Sequence, residues 1–424
     1  MHQTKISPET IKNAFDPERI SFLIDTFAGI GRDESGGITR LAFSREDLKA
    51  REAFLRLLEA ELNVKIHMDA LGNIFARREG IHPDWPAIMT GSHLDSVRNG
   101  GKFDGPAGVF SAFEAFRVLD QLNIETEHPF VLTMFTSEEP NTFGISTFGS
   151  RGLAGKLDRA QLENLRDDAG NDFKTALASI GGDLDRIQDA VLDPATIKYF
   201  LEIHIEQMPF LERAHKDIGV VKGVTGIYRE RISVRGVASH CGTTPMDERR
   251  DALCAASEII LALETAARKE KEKAVATIGH LNVFPNSINI TPERVEMDAE
   301  IRSYYSDSIR RITDTLNDTA SQIQKRRSIR IDREVLYETG PTTFSPDVRK
   351  AIRDAAALLG LDTLDLISMA GHDAAHMNDV AQSGMIFIPC KGGLSHCPEE
   401  WTDIKDLVKG AQCLLQTLLL LDTK

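Results

Sequence analysis

Residues 86–105 read PAIMTGSHLDSVRNGGKFDG. A short apolar run stops at Thr90, and a polar, glycine-rich loop follows with His93, Asp95 and Asp104 in it. A run this short, closed by glycines, fits a strand buried on both faces better than a helix. The loop could hold a metal, cradle a phosphate or simply turn the chain. The choice depends on whether the remaining sequence supplies partners for the three side chains.

The same pattern recurs. PFVLTMFT (129–136) runs into SEEP, which carries Glu138 and Glu139. KYFLEIHI (198–205) carries Glu202 and His204 in its second half, with Glu206 and Gln207 next. GMIFIPC (384–390) runs into KGGLSHCPEE, which carries His396. Helical stretches such as VFSAFEAFRVLDQL (109–122) lie between these runs. Strands alternating with helices imply a layered α/β/α sheet. In such sheets the functional crevice lies outside the carboxyl ends of the strands, where these polar clusters fall.

Between residues 216 and 333 the rhythm changes. YRERISVRGVAS, KAVATIGHLNVF, ERVEMDAEIRSY and IRIDREVLYE alternate as half-exposed strands. DERRDALCAASEIILALETAARK and SDSIRRITDTLNDTASQIQK have helical period. The order βαββαβ predicts a ferredoxin-like domain inserted into the larger one. The expected division is 1–215 and 334–424 for the catalytic domain and 216–333 for the insert. At the amino-terminal side, Ser44 and Asp47 predict a capping box before LKAREAFLRLLEAEL.

Composition narrows the function. The chain has 424 residues, 42% hydrophobic and 27% charged, with a net charge of −14. That acidity, without a basic run, argues against a nucleic-acid partner. The apolar runs are too short for a membrane span, and the first 20 residues lack a secretory h-region. Cys241, Cys254, Cys390, Cys397 and Cys413 show no CxxC spacing and read as free thiols of a reducing compartment, the cytoplasm.

His93, Asp104, Glu139, His204 and His396 each fall at or just past a predicted strand end. Carboxylates with imidazoles suit zinc, manganese or cobalt. Five ligands with one bridging carboxylate suit two ions roughly 3.5–4 Å apart. Of the adjacent Glu138 and Glu139, one can bind metal while the other accepts a proton. Asp95 is placed to accept the second N–H of His93. Singly, each is ordinary: a lone His is more often a core or surface residue, and SEE is usually a solvated turn. Their shared position at the strand ends favours the metal. No phosphate loop, dinucleotide fingerprint, nucleophile elbow or HExxH motif competes.

The stretches GSHLDSVRNGGKFDG, TSEEPNTFG, LEIHIEQ, SHCGTTPMDERRDAL, PNSINITPERVEMDAEIRS, AGHDAAHM and GLSHCPEE together resemble a family of dinuclear-metal amidohydrolases. It includes N-carbamoyl-L-amino acid hydrolase, allantoate amidohydrolase and β-ureidopropionase, within the aminoacylase and glutamate-carboxypeptidase-like metallopeptidases. The resemblance runs from about residue 36 to the carboxyl terminus. It implies two divalent ions per subunit (zinc, or manganese/cobalt) on His93, Asp104, Glu139, His204 and His396, with Asp104 as the bridge. Glu138 is then the general base, and Asp95 its catalytic companion through His93. Gln207, His240, Asn289, Arg302, Met369, Gly371 and His372 are the implied substrate-binding residues, with Arg302 clamping a substrate carboxylate. The inserted domain becomes a lid that also makes a homodimer.

The expected reaction is hydrolysis of a linear ureido or amide C–N bond, in N-carbamoyl-L-amino acids or allantoate-type ureido acids, releasing ammonia and carbon dioxide. An N-acyl-amino acid hydrolase or dipeptidase on the same scaffold is the alternative, and a non-catalytic metal-binding scaffold a further one. Pro140, Thr142, Met369, Cys241 and Cys397 depart from the usual family pattern, all near the expected substrate pocket.

Overall fold

A computed structural model of the chain describes residues 7–423. The chain divides into two compact units, Gly223–Thr343 and the residues on either side of it. The larger unit is built on a mixed sheet. Its central strands are Phe130–Phe135, Ala87–His93, Ile197–Ile205 and Gln382–Ile388, side by side and all parallel. These are the four apolar runs singled out above. Antiparallel strands flank them, with Ile74–Arg78 and Lys65–Met68 beyond one side and Ile218–Val224 beyond the other. The register sets His93 opposite Phe135 and His204 opposite Phe387, so the carboxyl ends of the parallel strands finish together.

Side-chain alternation divides the strand Ile197–Ile205 between two layers. Leu201, Ile203 and Ile205 enter the main apolar core with the helices Pro106–Gln121, Pro346–Leu358 and Ile404–Asp422. Glu202 and His204 alternate with them, and Glu202 accepts the Ala374 N–H that opens the short helix Asp373–Met377. Helix Pro106–Gln121 is buried almost all round, from Pro106 through Leu119. Phe110, Phe113 and Phe116 are each 0% exposed, and burying such a side chain contributes roughly 1.5–3 kcal/mol.

The predicted cap at Ser44 forms, with a difference. Ser44 Oγ accepts the Asp47 N–H at 3.2 Å, but Asp47 returns its bond to the Phe43 N–H at 2.8 Å rather than to Ser44. The carboxylate is thereby free to hold Arg51, which is buried and reaches Thr136 Oγ1 at 3.1 Å. Two further helices, Pro8–Ala14 and Pro17–Ala28, precede the capped helix Arg45–Glu61.

The smaller unit has the strand order Arg330–Thr339, Gly226–Arg235, Arg294–Ser303, Ala274–Phe284, every neighbour antiparallel. Helices Ala252–Lys269 and Ser306–Arg327 share its apolar core. This is the βαββαβ order expected for 216–333, spread over 223–343. Ile218–Val224 pairs with the central strand Gln382–Ile388, and Arg330–Thr339 runs past residue 333 as part of the small sheet. Among the described residues no helix is long and apolar enough to cross a membrane. All five cysteines are unpaired.

Gly91 lies opposite Thr133 in the parallel pair, and a Cβ at this position would come within 1.9 Å of the Thr133 carbonyl oxygen. The Gly91→Ala variant should therefore lose about 2 kcal/mol through overpacking. A urea-unfolding midpoint shifted at constant m-value measures it; an unchanged midpoint would contradict the close strand approach.

Candidate metal centre

The polar loops at the carboxyl ends of the parallel strands converge. Two clusters of possible metal ligands form, His93–Asp104–His204 and Asp104–Glu139–His396, each with its ligand atoms within 4.8 Å of one another. Asp104 belongs to both, and its two oxygens face different ways. Oδ1 is 3.1 Å from His204 Nε2 and 3.6 Å from His93 Nε2. Oδ2 is 3.3 Å from His396 Nε2, which also lies 3.1 Å from Glu139 Oε1. Glu138 stands outside both clusters, with its Oε2 3.9 Å from His93 Nε2.

The backbone explains how residues distant in sequence meet here. Gly105 has φ +82°, and a Cβ there would lie 2.5 Å from the His93 ring, so only glycine lets the loop fold back this closely. Ser137, Gln207 and His396 adopt φ of 54°, 57° and 59°, each beside or within the cluster. Left-handed conformations at such residues persist when surrounding contacts hold them.

Those contacts are largely from side chain to backbone. The Asp95 carboxylate accepts the N–H groups of Glu138 and Glu139 at 3.2 and 3.0 Å. This corrects the expectation that the same carboxylate steers His93. His93 Nδ1 is instead 3.0 Å from the Asp95 carbonyl oxygen, whereas the carboxylate stands off at 3.7 Å. With its oxygens committed to two peptide N–H groups, Asp95 positions the glutamate pair, and its main chain fixes the imidazole. His204 is oriented in the same way, Nδ1 lying 2.9 Å from the Ile205 carbonyl.

Glu400 plays the corresponding part for Asp104. Its Oε1 accepts the N–H groups of Phe103 and Asp104 at 2.8 and 3.0 Å, and its Oε2 accepts Ser395 Oγ at 2.7 Å. Nothing in the local sequence CPEE points to this role for Glu400. Its backbone partners lie nearly 300 residues away, and a side chain reaching a distant backbone N–H leaves no spacing pattern. Gln207 Nε2 also donates to Asp104 Oδ2, at 2.7 Å.

The electrostatics fit a cation site. Among the described residues no Lys or Arg forms an ion pair with Asp95, Asp104, Glu138 or Glu139, all of them buried; histidines are their ionic neighbours. Burial opposes charge on Asp104, yet His204, His396 and His93 hold its carboxyl well below the usual range. Hydrogen bonds to Asp104 and Glu139 push His396 up to about 11. Burial, with Glu139, Asp373 and Asp104 adding to it against His93, pushes Glu138 well up. A concentration of buried carboxylates balanced mainly by imidazoles has the chemistry of a divalent-metal site.

The other expected residues separate into two sets. His372 is buried, with its ring centre 4.6 Å from that of His204 and Nε2 2.9 Å from Ser368 Oγ. Burial and the nearby His204 keep it neutral, well below the usual histidine range. Met369 and Gly371 sit on the loop just before it, half-buried and exposed respectively. His240, Asn289 and Arg302 belong to the smaller unit. His240 pairs with Ile290 in a two-residue ladder, so Asn289 stands next to it, and the Asn289 carbonyl accepts the Cys241 N–H at 3.1 Å. Arg302 Nε donates to Glu300 Oε1 at 2.6 Å.

Comparison with known proteins gives a consistent result. The sequence model described as peptidase family M20/M25/M40 matches residues 89–420. An N-carbamoyl-L-amino-acid amidohydrolase of Paenarthrobacter aurescens is 37% identical over 389 residues, covering 92% of this chain and 94% of its own. A ureidoglycolate hydrolase of Arabidopsis thaliana is 34% identical over 402 residues, covering 93% of this chain and 84% of its own. The crystal structure of a hydantoinase/carbamoylase-family amidase from Burkholderia multivorans superposes with a TM-score of 0.89 at 32% identity, covering 96% of this chain and 98% of that one.

Removing the Glu400 carboxylate should loosen the loop that carries Asp104. Glu400→Ala is expected to weaken divalent-cation binding about 10–100-fold, as loss of a group that orients a ligand commonly does. Competition with a chelating indicator measures it, with far-UV circular dichroism checking the fold. Unchanged affinity would remove Glu400 from the support of the site.

Proposed function

The chain belongs to peptidase family M20/M25/M40, and we propose that within it the protein is a metal-dependent amidohydrolase cleaving the ureido C–N bond of N-carbamoyl-L-amino acids. The observation that carries the site assignment is the division of Asp104, one oxygen toward His93 and His204 and the other toward His396, whose ring also meets Glu139. These five side chains would hold two divalent ions, zinc or else manganese or cobalt, with Asp104 between them. Bound there, the ions supply Lewis-acid polarisation of the scissile carbonyl and a nucleophilic water at neutral pH.

The chain's own residues do the rest. Glu138 lies beside the clusters without belonging to either, as befits a base that takes a proton from the attacking water and returns it to the leaving nitrogen. Asp95 holds the Glu138–Glu139 backbone so that the two carboxylates diverge. Gln207, already bonded to Asp104, presents its amide to the ureido end of the substrate. His372, Gly371 and Met369 form the adjoining wall. From the smaller unit, His240 and Asn289 donate to the developing oxyanion, and Arg302 offers a two-pronged donor to the substrate carboxylate. The smaller unit acts as the lid and as the contact between two copies in a homodimer. The unpaired cysteines suit a cytoplasmic enzyme.

Ureidoglycolate-type acids are the second substrate class, favoured by the plant relative. N-acyl-amino acids and dipeptides are not favoured, since the relatives named above act on ureido compounds or belong to carbamoylase-type amidases. A non-catalytic scaffold gives way to a hydrolase on the same grounds. A panel of N-carbamoyl-L-amino acids, ureidoglycolate, allantoate and N-acyl-amino acids, with added Zn²⁺, Mn²⁺ or Co²⁺, tests the reading, with ammonia release assayed for the ureido compounds and the freed amino acid for the N-acyl compounds. Turnover confined to the N-acyl compounds would overturn it.

Two substitutions separate the assigned roles. Glu138→Gln should retain metal and lose about 10²–10⁴-fold in kcat; activity near wild type removes Glu138 as the base. Arg302→Ala should weaken kcat/KM for carboxylate substrates by about 1.5–3 kcal/mol, the range for a hydrogen bond to a charged group. An unchanged specificity constant would end the clamp assignment.

A further inference from the structure

The second histidine of AGHDAAHM, His376, has no part in the reaction described above. It lies in the short helix Asp373–Met377 and is half-buried. Its Nδ1 is 3.3 Å from Lys156 Nζ, and its Nε2 is 3.0 Å from Thr147 Oγ1. Lys156 also forms an ion pair with Asp379. An ammonium only donates, so Nδ1 is the acceptor and Nε2 carries the proton. Nε2–H therefore donates to Thr147 Oγ1, whose own hydrogen goes to the Ser146 carbonyl at 2.8 Å. Each contact along Asp379–Lys156–His376–Thr147–Ser146 then pairs a donor with an acceptor. Burial and the neighbouring Lys156 and Arg151 cations keep the ring neutral, its pKa pushed down to about 3, which fits this arrangement.

Thr147 is the unusual member. It occupies the N-cap of the helix Phe148–Leu153, where a threonine hydroxyl ordinarily accepts a helix N–H. Here it makes no such bond. It is also left-handed, at φ +49° and ψ +35°, an unfavourable conformation for a β-branched residue. The Thr147 N–H donates to the Glu138 carbonyl at 2.7 Å, and the next two N–H groups donate to Ser137 and Thr136 at 2.9 and 2.8 Å. Glu138 is thus gripped on both sides of its Cα, its N–H by the Asp95 carboxylate and its carbonyl by Thr147. The hydroxyl of this left-handed residue is bonded to His376.

We infer that His376 is a positioning residue for Glu138, acting through Thr147: its Nε2–H diverts the threonine hydroxyl from the cap and locks the left-handed turn whose N–H fixes the Glu138 carbonyl. The inference rests on Glu138 as the base of the proposed reaction. Glutamine places an amide nitrogen where Nε2 lies and keeps the donor; alanine removes it.

The test compares His376→Ala, His376→Gln and Thr147→Val in the metal-loaded enzyme, using the N-carbamoyl-L-amino acid turned over fastest. His376→Ala and Thr147→Val should lower kcat about tenfold with KM within about twofold, because a small misplacement of a reacting group acts on the chemical step. His376→Gln should recover to within about threefold of wild type. Amide hydrogen exchange at Thr147 and Phe148, which needs no activity, should quicken about tenfold or more in the Ala and Val variants and not in the Gln variant. Wild-type kcat in His376→Ala, a Gln variant as slow as the Ala variant, or unchanged exchange overturns the inference. Glu138→Gln separates the two claims: full turnover in that variant overturns the base assignment, while the exchange measurements still decide whether His376 holds the turn.

Discussion

One carboxylate has to face two ways. Asp104 sits between His93 and His204 on one side and His396 with Glu139 on the other, and the architecture of the larger unit serves that placement. Parallel strands finish at a common edge, so the loops leaving them begin close together. Gly105 allows its loop to fold against the His93 ring. Glu400 takes the Asp104 and Phe103 N–H groups, so the loop is clamped from the far end of the sequence. Gln207 donates to the Asp104 oxygen nearer His396.

The price of such a site is electrostatic. Buried carboxylates repel one another, and burial itself disfavours their charge. Asp95, Glu138, Glu202, Asp373 and Glu400 all have their carboxyls pushed upward, with burial as the leading cause in each. Asp104 moves the other way because imidazoles surround it. Backbone N–H groups partly offset the repulsion at Asp95, Glu202 and Glu400 without adding a competing cation. Such an arrangement of buried carboxylates suits a bound cation.

Much of this was legible in the sequence because its signals are local. An apolar run ending in a polar, glycine-bearing loop marks a strand and its functional end within about 20 residues, and each of the four central strands was found so. Period 2 and period 3.6 in the right order gave the small βαββαβ unit. What escaped is non-local. The Asp95 carboxylate was assigned to the nearest imidazole, two residues away, but it bonds to peptide groups at 138 and 139. Glu400 bonds to the peptide groups of residues 103 and 104. Backbone groups are the same at every position, so sequence carries no sign of which one a distant side chain will bind.

Main-chain anchoring has an evolutionary side. Asp95 and Thr147 hold the Glu138–Glu139 segment through peptide N–H and carbonyl groups, and these exist whatever side chains follow. Pro140 and Thr142, in the loop between the two anchors, are exposed. Their identities can drift while the carboxylates beside them stay in register. Natural selection can therefore exchange the exposed residues of this loop without first rebuilding the carboxylate pair beside it, and one scaffold can vary at its surface while its buried centre stays fixed.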